Sequence, residues 1–408
     1  MSLIRGDAIA IPLRDESVDL IVTSPPYFAL RSYTDGGEHY DGQIGSEPTP
    51  QDFLEALWAV TAECRRVLKP SGSMWVNLGD KYAGTQPGSY RRDTQPFATQ
   101  LGDRSHRLTA EQTRQAPDVT FGGIRAKSLM GLPWRYAIGC IDDLDLILRA
   151  EVIWSKPNGL PESVTDRVRR SHEQWFHFTK EPRYFAAVDE VREPQRPEAL
   201  AKPGWTRRTD GSRGGNRNAG ESVGQRVANC NPLGKLPGSV WTVPSEPLKV
   251  PDWLGVDHFA AFPQEWPRRI ILGWSPSGIC VECGQGRRPV VDIKREKGWT
   301  RQTDGSRNGN RHAGESVGQQ VNNRQLATIT GYVCDCPDTS APTRPAVVLD
   351  PFGGTGTVAM VARALGRYPV HIDLSADYLK LARWRIYESG HASKTAERTN
   401  RERQGVLL

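Results

Sequence analysis

Apolar positions recur along the chain with two different periods. Four short runs are apolar and rich in β-branched or aromatic residues, and they predict buried strands at 17–24, 73–79, 147–156 and 173–180. Between the first two runs, apolar residues from Phe53 to Leu68 recur at helical spacing after a Thr49-Pro50 start signal. A second helical pattern covers 128–143. Strands that alternate with helices predict an α/β fold with a mostly parallel sheet.

The segment 345–386 has the most regular pattern, which predicts a strand, a glycine-rich turn, a helix, a second strand and a second helix. The first strand ends at Asp350 and is followed by Gly353, Gly354 and Gly356. Glycines at the carboxyl end of a strand let the backbone approach a bound ligand closely. The second strand ends at Asp373, at a spacing from Asp350 that suits an acceptor for the hydroxyls of a ribose.

The acidic residue before the glycines indicates which ligand this turn binds. The segment contains no G-x-G-x-x-G motif, and a carboxylate at Asp350 would repel a pyrophosphate. A carboxylate suits a cationic cofactor that carries an amine, such as S-adenosylmethionine. We therefore interpret this turn and Asp373 as a cofactor site; a tight turn without a ligand is the alternative.

The strand at 17–24 leads into the sequence Thr-Ser-Pro-Pro-Tyr. Two adjacent prolines lack two backbone donors and fix two φ angles, so the Pro25 carbonyl is held in place. With Ser24 as a second acceptor, the loop can hydrogen-bond both hydrogens of one exocyclic amino group, which localises the nitrogen lone pair for attack on a methyl sulfonium. Tyr27 offers a flat face for a base, which must be flipped out of a duplex. The candidate catalytic residues are therefore Ser24, Pro25, Pro26 and Tyr27.

Composition and charge limit the partners and the compartment. The net charge is +6 and the pI about 8.9, which is compatible with a polyanionic partner. The sequence shows no run of 18 apolar residues and no signal-peptide pattern, so we expect an intracellular protein that does not act at a membrane. In a reducing compartment the seven cysteines are thiols or metal ligands rather than disulfides.

Four cysteines fall into two closely spaced pairs. Cys280 and Cys283 form a C-x-x-C motif, and Cys334 and Cys336 form a C-x-C motif. Together they predict a zinc ribbon with four thiolate ligands. Such a zinc ion would be structural, because four thiolates leave no coordination position open. The C-x-C spacing is tighter than usual, and unpaired thiols are the alternative.

A 22-residue segment at 204–225 returns at 298–319 with 19 identical positions. Each copy is rich in Gly, Asn and Arg, contains one Trp, and has too few aliphatic residues to bury a core. One interpretation is a duplicated solvated loop. The other is an arm that contacts DNA, with arginines on phosphates and the Trp on a sugar or base. The candidate DNA-binding residues are Arg207, Arg208, Arg213, Arg217, Arg301, Arg307 and Arg311.

Three motifs taken together resemble a known family. They are Val-Thr-Ser-Pro-Pro-Tyr at 22–27, Leu-Asp-Pro-Phe-Gly-Gly-Thr-Gly-Thr at 349–357 and His-Ile-Asp-Leu-Ser at 371–375. The chain is similar to the DNA amino-methyltransferases that modify N4 of cytosine or N6 of adenine, and its motif order resembles their permuted β-type group. The resemblance implies a circularly permuted, doubly wound, mostly parallel seven-stranded methyltransferase sheet with polar insertions. It also adds Phe352 and Thr357 to the expected cofactor-binding residues.

The resemblance also implies an organisation of the chain. We expect a catalytic half at 1–190 with an insertion at 83–126, a target-recognition region with the first repeat at 191–257, a helix at 258–279, the zinc ribbon with the second repeat at 280–340, a cofactor half at 341–390 and a basic tail at 391–408.

The expected activity is transfer of a methyl group from S-adenosylmethionine to the amino group of a flipped base in duplex DNA. Serine at the first loop position, Ser24, resembles the cytosine-N4 enzymes, so cytosine N4 is favoured over adenine N6. Remoter alternatives are an RNA or protein N-methyltransferase and a non-catalytic DNA-binding protein. We expect a monomer or homodimer in the cytoplasm of a bacterial cell, encoded by the host or a phage, and a restriction endonuclease is a candidate partner.

Overall fold

A computed structural model gives the fold. It describes residues 1–29, 34–35, 38–39, 43–83, 120–121, 123–159, 161–195, 231–256, 261–296, 324–337, 340–390 and 395–400. The two repeats, with all seven candidate arginines, lie outside the described residues, as do Cys230, most of the 83–126 insertion and much of the basic tail. Among the described residues, no helix has both the length and the apolar character needed to cross a bilayer.

Eight strands form one central sheet. Their order across the sheet is β1 (Ser2–Arg5), β16 (Tyr368–Asp373), β15 (Val347–Asp350), β2 (Val18–Thr23), β5 (Leu68–Leu78), β9 (His172–Thr179), β8 (Ile147–Ser155) and β10 (Val240–Thr242). Neighbouring strands are parallel except around β9, which runs antiparallel to both β5 and β8. The predicted mostly parallel α/β sheet is therefore confirmed.

The sheet has one more strand than the seven we expected. The additional strand is the edge strand β10, which pairs in parallel with β8 over three residues. Its central residue, Trp241, is buried, whereas Val240 and Thr242 are exposed. A strand this short gives no periodic signal in the sequence, and the burial of the Trp241 ring becomes visible only in the assembled fold.

Five of the helices in the described part of the chain flank the sheet. They are α1 (Pro50–Val67), α2 (Leu132–Asp142), α3 (Glu265–Trp274), α4 (Thr357–Ala364) and α5 (Ala376–Tyr387), with 3₁₀ turns at Val188–Val191 and Asp252–Leu254. The predicted start of α1 is confirmed, because the Thr49 side chain accepts a hydrogen bond from the Asp52 N–H and Pro50 occupies the first turn. β5 begins at Leu68, and its register against β2 shifts before Ser73.

Helices cover both faces of the sheet, as a doubly wound fold requires. On one face, Leu57 of α1 and Tyr136 of α2 belong to one buried apolar cluster. On the other face, α3 and α4 contribute to a second cluster that is rich in tryptophan. In this second cluster the Trp266 ring stacks on Trp175 at 5.0 Å and on Trp241 at 4.9 Å between centroids.

Four two-stranded sheets lie outside the central sheet. They pair β3 (Thr34–Asp35) with β4 (Glu38–His39), β6 (Thr120–Phe121) with β7 (Ile124–Arg125), β11 (Ile279–Cys280) with β14 (Thr343–Arg344) and β12 (Arg288–Glu296) with β13 (Arg324–Val333). The antiparallel pair β12–β13 is the longest of these and lies in the region predicted to be a zinc ribbon.

The parallel strands β1, β16, β15, β2 and β5 bring their carboxyl ends to one edge of the sheet. Strands β1, β2 and β5 come from the predicted catalytic half, and strands β15 and β16 come from the predicted cofactor half. The loops that follow β2 and β15, which are distant in sequence, therefore become neighbours.

Candidate active site

A cavity of about 370 Å³ lies at this carboxyl edge. Its volume is within the range of about 300–1,000 Å³ that is typical of small-molecule sites. Loops after four strands contribute to the wall, and the lining residues are Gly6, Asp7, Ala8, Ile9, Ser24, Pro26, Gln43, Ile44, Glu47, Ala56, Pro351, Phe352, Gly354, Thr355, Asp373, Leu374 and Tyr378. The predicted catalytic loop and the predicted cofactor loop thus line one cavity.

The loop after β15 takes its shape from glycines at two close contacts. A Cβ on Gly353 would lie 2.2 Å from the buried His371 ring, and a Cβ on Gly356 would lie 2.8 Å from the Ala382 side chain. Gly356 also has φ +77°, a left-handed conformation that favours glycine. Neither glycine lines the cavity, whereas Phe352 and Gly354 do. Because these two glycines have no side chain, the loop packs closely against the sheet and α5.

Asp373 lines the cavity and also holds the cofactor loop. Its Oδ2 accepts a hydrogen bond from the Gly354 N–H at 2.8 Å, and its Oδ1 accepts one from the Ser375 N–H at 2.9 Å. Each carboxylate oxygen has capacity for a further bond. The position is compatible with the predicted role of Asp373 as an acceptor for ribose hydroxyls.

Asp350 lies behind the loop and is not among the residues that line the cavity. Its side chain is buried, and its Oδ1 accepts from the Thr23 hydroxyl at 2.8 Å and from the Phe352 N–H at 3.2 Å. Burial, with a smaller contribution from the Asp373 charge, raises the pKa of Asp350 to about 7, although both hydrogen bonds oppose the rise. In this position Asp350 links the catalytic strand to the cofactor loop.

Thr357 also has a structural partner. Its hydroxyl oxygen accepts a hydrogen bond from the Arg385 guanidinium at 2.6 Å, and Thr355 accepts another at 2.9 Å. Arg385 is buried in α5 and so fixes the start of α4. Of these two threonines only Thr355 lines the cavity, and the sequence analysis did not select it.

Asn77, at the end of β5, organises the catalytic loop. Its amide nitrogen donates to the Gln174 carbonyl at 3.0 Å, which turns its carbonyl oxygen toward the loop. That oxygen accepts from the Ser24 hydroxyl at 3.2 Å and lies 2.8 Å from the Tyr27 hydroxyl. Because the Ser24 proton is used in this bond, the lone pairs of its oxygen are available to accept from a substrate amino group.

The Tyr27 ring lies against the end of β5. A Cβ on Gly79 would lie 2.6 Å from the ring, so this position has room only for glycine. The Tyr27 hydroxyl also lies 2.8 Å from Glu173, which forms an ion pair with Lys156. Pro25 is buried, whereas Ser24 and Pro26 reach the cavity.

Several residues of the site were missed by the sequence analysis. The loop after β1 contributes Gly6, Asp7, Ala8 and Ile9, and its start was visible only as polar residues after a short apolar run. Glu47 lines the cavity and accepts from the Gly45 N–H at 2.8 Å, and burial raises its pKa. Three carboxyl-bearing residues, Asp7, Glu47 and Asp373, therefore surround the space. That arrangement, with apolar walls, fits a cationic cofactor such as S-adenosylmethionine.

Residues 18–281 match the family N6_N4_Mtase, which is described as DNA methylase. The type II methyltransferase M.XycI of Xanthomonas campestris pv. cyanopsidis is 31% identical over 94% of this chain and 87% of its own length. The protein belongs to this family of DNA methylases. M.Cfr9I of Citrobacter freundii is 34% identical over 72% of this chain and 83% of its own length.

The methylase also shares its fold with a solved structure. The PvuII cytosine-N4-specific DNA methyltransferase superposes with a TM-score of 0.50 and 14% identity, covering 99% of this chain and 93% of that chain. This likeness shows a shared fold. The family match and the two relatives confirm the resemblance to the amino-methyltransferase family, and the protein is an S-adenosylmethionine-dependent DNA methyltransferase that acts on an exocyclic amino group. The permuted order of its motifs stays a prediction.

The four predicted zinc ligands come together away from the cavity. The Sγ atoms of Cys280, Cys283, Cys334 and Cys336 all lie within 4.8 Å of one another. None of the four residues is among those that line the methylase cavity. Cys64 and Cys140 are both buried in the apolar core.

Proposed function

We propose that the methylase modifies N4 of cytosine in duplex DNA. The observation that supports this most directly is the cavity shared by Ser24 and Pro26 of the catalytic loop and Phe352 and Asp373 of the cofactor side. A methyl donor and an amino group held at these two walls would meet inside one enclosed space, which is the arrangement that direct transfer requires.

S-adenosylmethionine supplies an electrophilic methyl group on a sulfonium. With both substrates bound, the Ser24 oxygen and the Pro25 carbonyl would accept the two hydrogens of the amino group. The nitrogen lone pair would then be free to attack the methyl carbon, with the sulfur as the leaving group. The surplus proton leaves the nitrogen for water. Asn77 keeps the Ser24 hydroxyl pointing away from the substrate, so that the oxygen acts as an acceptor throughout.

The choice of cytosine rests on the residue type at the first loop position. The adenine enzymes of this family usually carry an aspartate there, which is a stronger acceptor than serine. Within the described residues, the side-chain partner of the Ser24 hydroxyl is the neutral amide of Asn77 rather than a carboxylate. The smaller cytosine ring also suits a site in which Tyr27 is the aromatic residue of the loop. Adenine N6 is the second candidate, because both bases present an amino group beside a ring nitrogen.

The test is mass spectrometry of nucleosides from methylated plasmid DNA, with RNA and protein substrates in parallel. N4-methylcytosine in DNA is the expected product. N6-methyladenine without N4-methylcytosine would overturn the cytosine assignment and leave the amino-methyltransferase activity intact. The relatives carry names of type II methyltransferases. We therefore also propose that the methylase has a partner, a restriction endonuclease that recognises the same DNA target.

A structural zinc ion, bound by the four clustered cysteines, is the second part of the proposal. The ligand set fits, because four thiols within 4.8 Å of one another match the composition of a Cys₄ zinc site. The ion would take no part in methyl transfer, because the cluster does not reach the cavity.

A further inference from the structure

The spacing of the four sulfurs distinguishes a metal site from a chance cluster or a disulfide. All four cysteines are free thiols whose Sγ atoms lie within 4.8 Å of one another. A tetrahedral zinc ion with Zn–S bonds of about 2.3 Å separates its sulfurs by about 3.8 Å. A disulfide would bring two of them to about 2.05 Å. Small side-chain movements therefore convert the observed arrangement into a zinc site.

The backbone around the first cysteine pair is already arranged to support thiolates. The N–H groups of Glu282 and Cys283 point at the Cys280 sulfur, and the N–H of Gln285 points at the Cys283 sulfur. The turn closes with a hydrogen bond from the Gly284 N–H to the Cys280 carbonyl at 3.0 Å, and Gly284 has φ +70°. Donors aimed at ligand atoms are a typical outer shell of a metal site.

The β12–β13 pair, which we call the ribbon, has no apolar core of its own. No residue of 281–294 or 327–337 is buried, although these stretches include Val290, Ile293 and Val333. A two-stranded ribbon without a covered face is marginally stable in water. A cross-link at its base would compensate for the missing core.

The sulfur cluster lies at this base. Cys280 ends β11, which pairs with β14, and Cys334 directly follows β13. Three further hydrogen bonds lie at this base. The Arg287 N–H donates to the Gly278 carbonyl at 2.9 Å, the Arg287 guanidinium donates to the Ala341 carbonyl at 2.5 Å, and the Tyr332 hydroxyl bonds Glu190.

We propose that a single zinc ion, bound by Cys280, Cys283, Cys334 and Cys336, closes the base of the ribbon and fixes it to the catalytic core. This inference rests on the zinc site of the proposed function and assigns it a role. The ion makes the ribbon ordered, while the cofactor cavity forms without it. The segment between the two strands contains the second repeat in the sequence.

The experiment uses the full chain purified without added metal. Elemental analysis measures zinc per chain, limited proteolysis with mass mapping measures cleavage within 281–337, and calorimetry measures S-adenosylmethionine affinity. The test variant combines Cys283→Ser with Cys336→Ser. Cys336→His retains a zinc ligand, and Cys230→Ser changes a cysteine outside both motifs.

We expect one zinc ion per chain in the wild type, in Cys336→His and in Cys230→Ser. The double variant should lose the ion and become at least tenfold more sensitive to proteolysis within the ribbon, with cofactor affinity unchanged within twofold. Wild-type protein without zinc, or a double variant that retains it, would overturn the site. Zinc loss without faster ribbon cleavage, or with loss of cofactor binding, would overturn the assigned role. None of these measurements uses methyl transfer. Their outcome therefore tests the role of the zinc ion independently of which base the enzyme methylates.

Discussion

The Asn77 amide fixes the direction of the hydrogen bond that the Ser24 hydroxyl makes. Its nitrogen is occupied by the Gln174 carbonyl, so its oxygen faces the hydroxyls of Ser24 and Tyr27. A serine without such a partner could donate to a substrate ring nitrogen as readily as accept from an amino group. Asn77 therefore acts as a positioning residue, through Ser24.

Substitution of these two residues should affect turnover more than cofactor binding. Ser24→Ala removes an acceptor that matters most as the nitrogen becomes pyramidal, and we expect kcat to fall by about 10- to 100-fold, as loss of one hydrogen bond of about 1–3 kcal/mol implies. Asn77→Ala should give a smaller fall. Asn77→Asp retains an acceptor oxygen, so its kcat should be higher than that of Asn77→Ala. Single-turnover kinetics with calorimetry of cofactor binding measure the two effects, and a loss confined to cofactor affinity would contradict the role.

Burial changes the protonation of the motif residue Asp350. Its pKa rises from 3.8 to about 7, chiefly by burial, so the folded protein retains a proton that the unfolded chain has released between these values. Stability from this group is fully present below the unfolded pKa and is lost as pH rises through the folded pKa. A bound cationic cofactor would favour the ionised form.

Asp350→Asn should therefore change the pH dependence of stability. Asparagine keeps an oxygen that can accept from Thr23 and Phe352 but does not titrate. Between pH 4 and pH 7 the free energy of unfolding should fall more steeply in the wild type than in Asp350→Asn, as measured by urea unfolding of cofactor-free protein. Parallel profiles for the two proteins would show that Asp350 has an ordinary pKa.

At the scale of elements, the site is formed by turns at the ends of parallel strands. The glycine-rich turn after β15 packs directly on the neighbouring strand, where the Gly353 backbone N–H donates to the Ile372 carbonyl at 2.9 Å. His371 of that strand is buried without a hydrogen-bond partner for either ring nitrogen, and burial lowers its pKa to about 4. Its neutral ring acts as a packing surface under the loop.

Gly353→Ala should displace the cofactor loop, because a Cβ would lie 2.2 Å from the His371 ring. We expect S-adenosylmethionine affinity to fall more than tenfold in calorimetry. Gly238→Ala is the matched control, because a Cβ there meets nothing within 4 Å. Adding His371→Ala to Gly353→Ala should restore part of the affinity by removing the clash. Unchanged affinity in the single variant would show that the loop accommodates the methyl group elsewhere.

At the scale of the whole molecule, the two repeats are the candidate DNA-contacting segments. They carry the seven candidate arginines in two copies, and β10, α3, β11 and β12 lie between these copies in the sequence. The net charge of +6 is modest for a DNA-binding enzyme, so a concentrated set of arginines would supply much of the phosphate contact.

Replacement of Arg207, Arg208, Arg213 and Arg217 by Ala should weaken DNA binding and reduce its salt dependence. Each lost phosphate contact lowers the slope of log K against log salt by about 0.9. Titration of labelled duplex DNA at several salt concentrations measures this slope. A slope equal to that of the wild type would favour the interpretation of the repeats as solvated loops.

The sequence by itself determined the sheet class, the cofactor turn and the catalytic loop. Each of these leaves a local signature: a β-branched run predicts β2, helical spacing predicts α1, and stiff prolines or glycines predict the turns at Ser24 and Gly353. Such signals arise because the backbone conformation that a short segment prefers depends mainly on its own residues. The methylase family was recognisable from the same local motifs.

Only the tertiary structure decided which side chains share the cavity and how they are charged. Asp7 and Glu47 line the cavity from two different loops, and Asn77 bonds Ser24 from β5; no local pattern links these three residues to Ser24. Asp350 looked like a cofactor acceptor in the sequence, and its buried bond to Thr23 became visible only when β2 and β15 paired. The physical reason is that hydrogen-bond partners and desolvation depend on strand order, which brings together residues that are hundreds of positions apart.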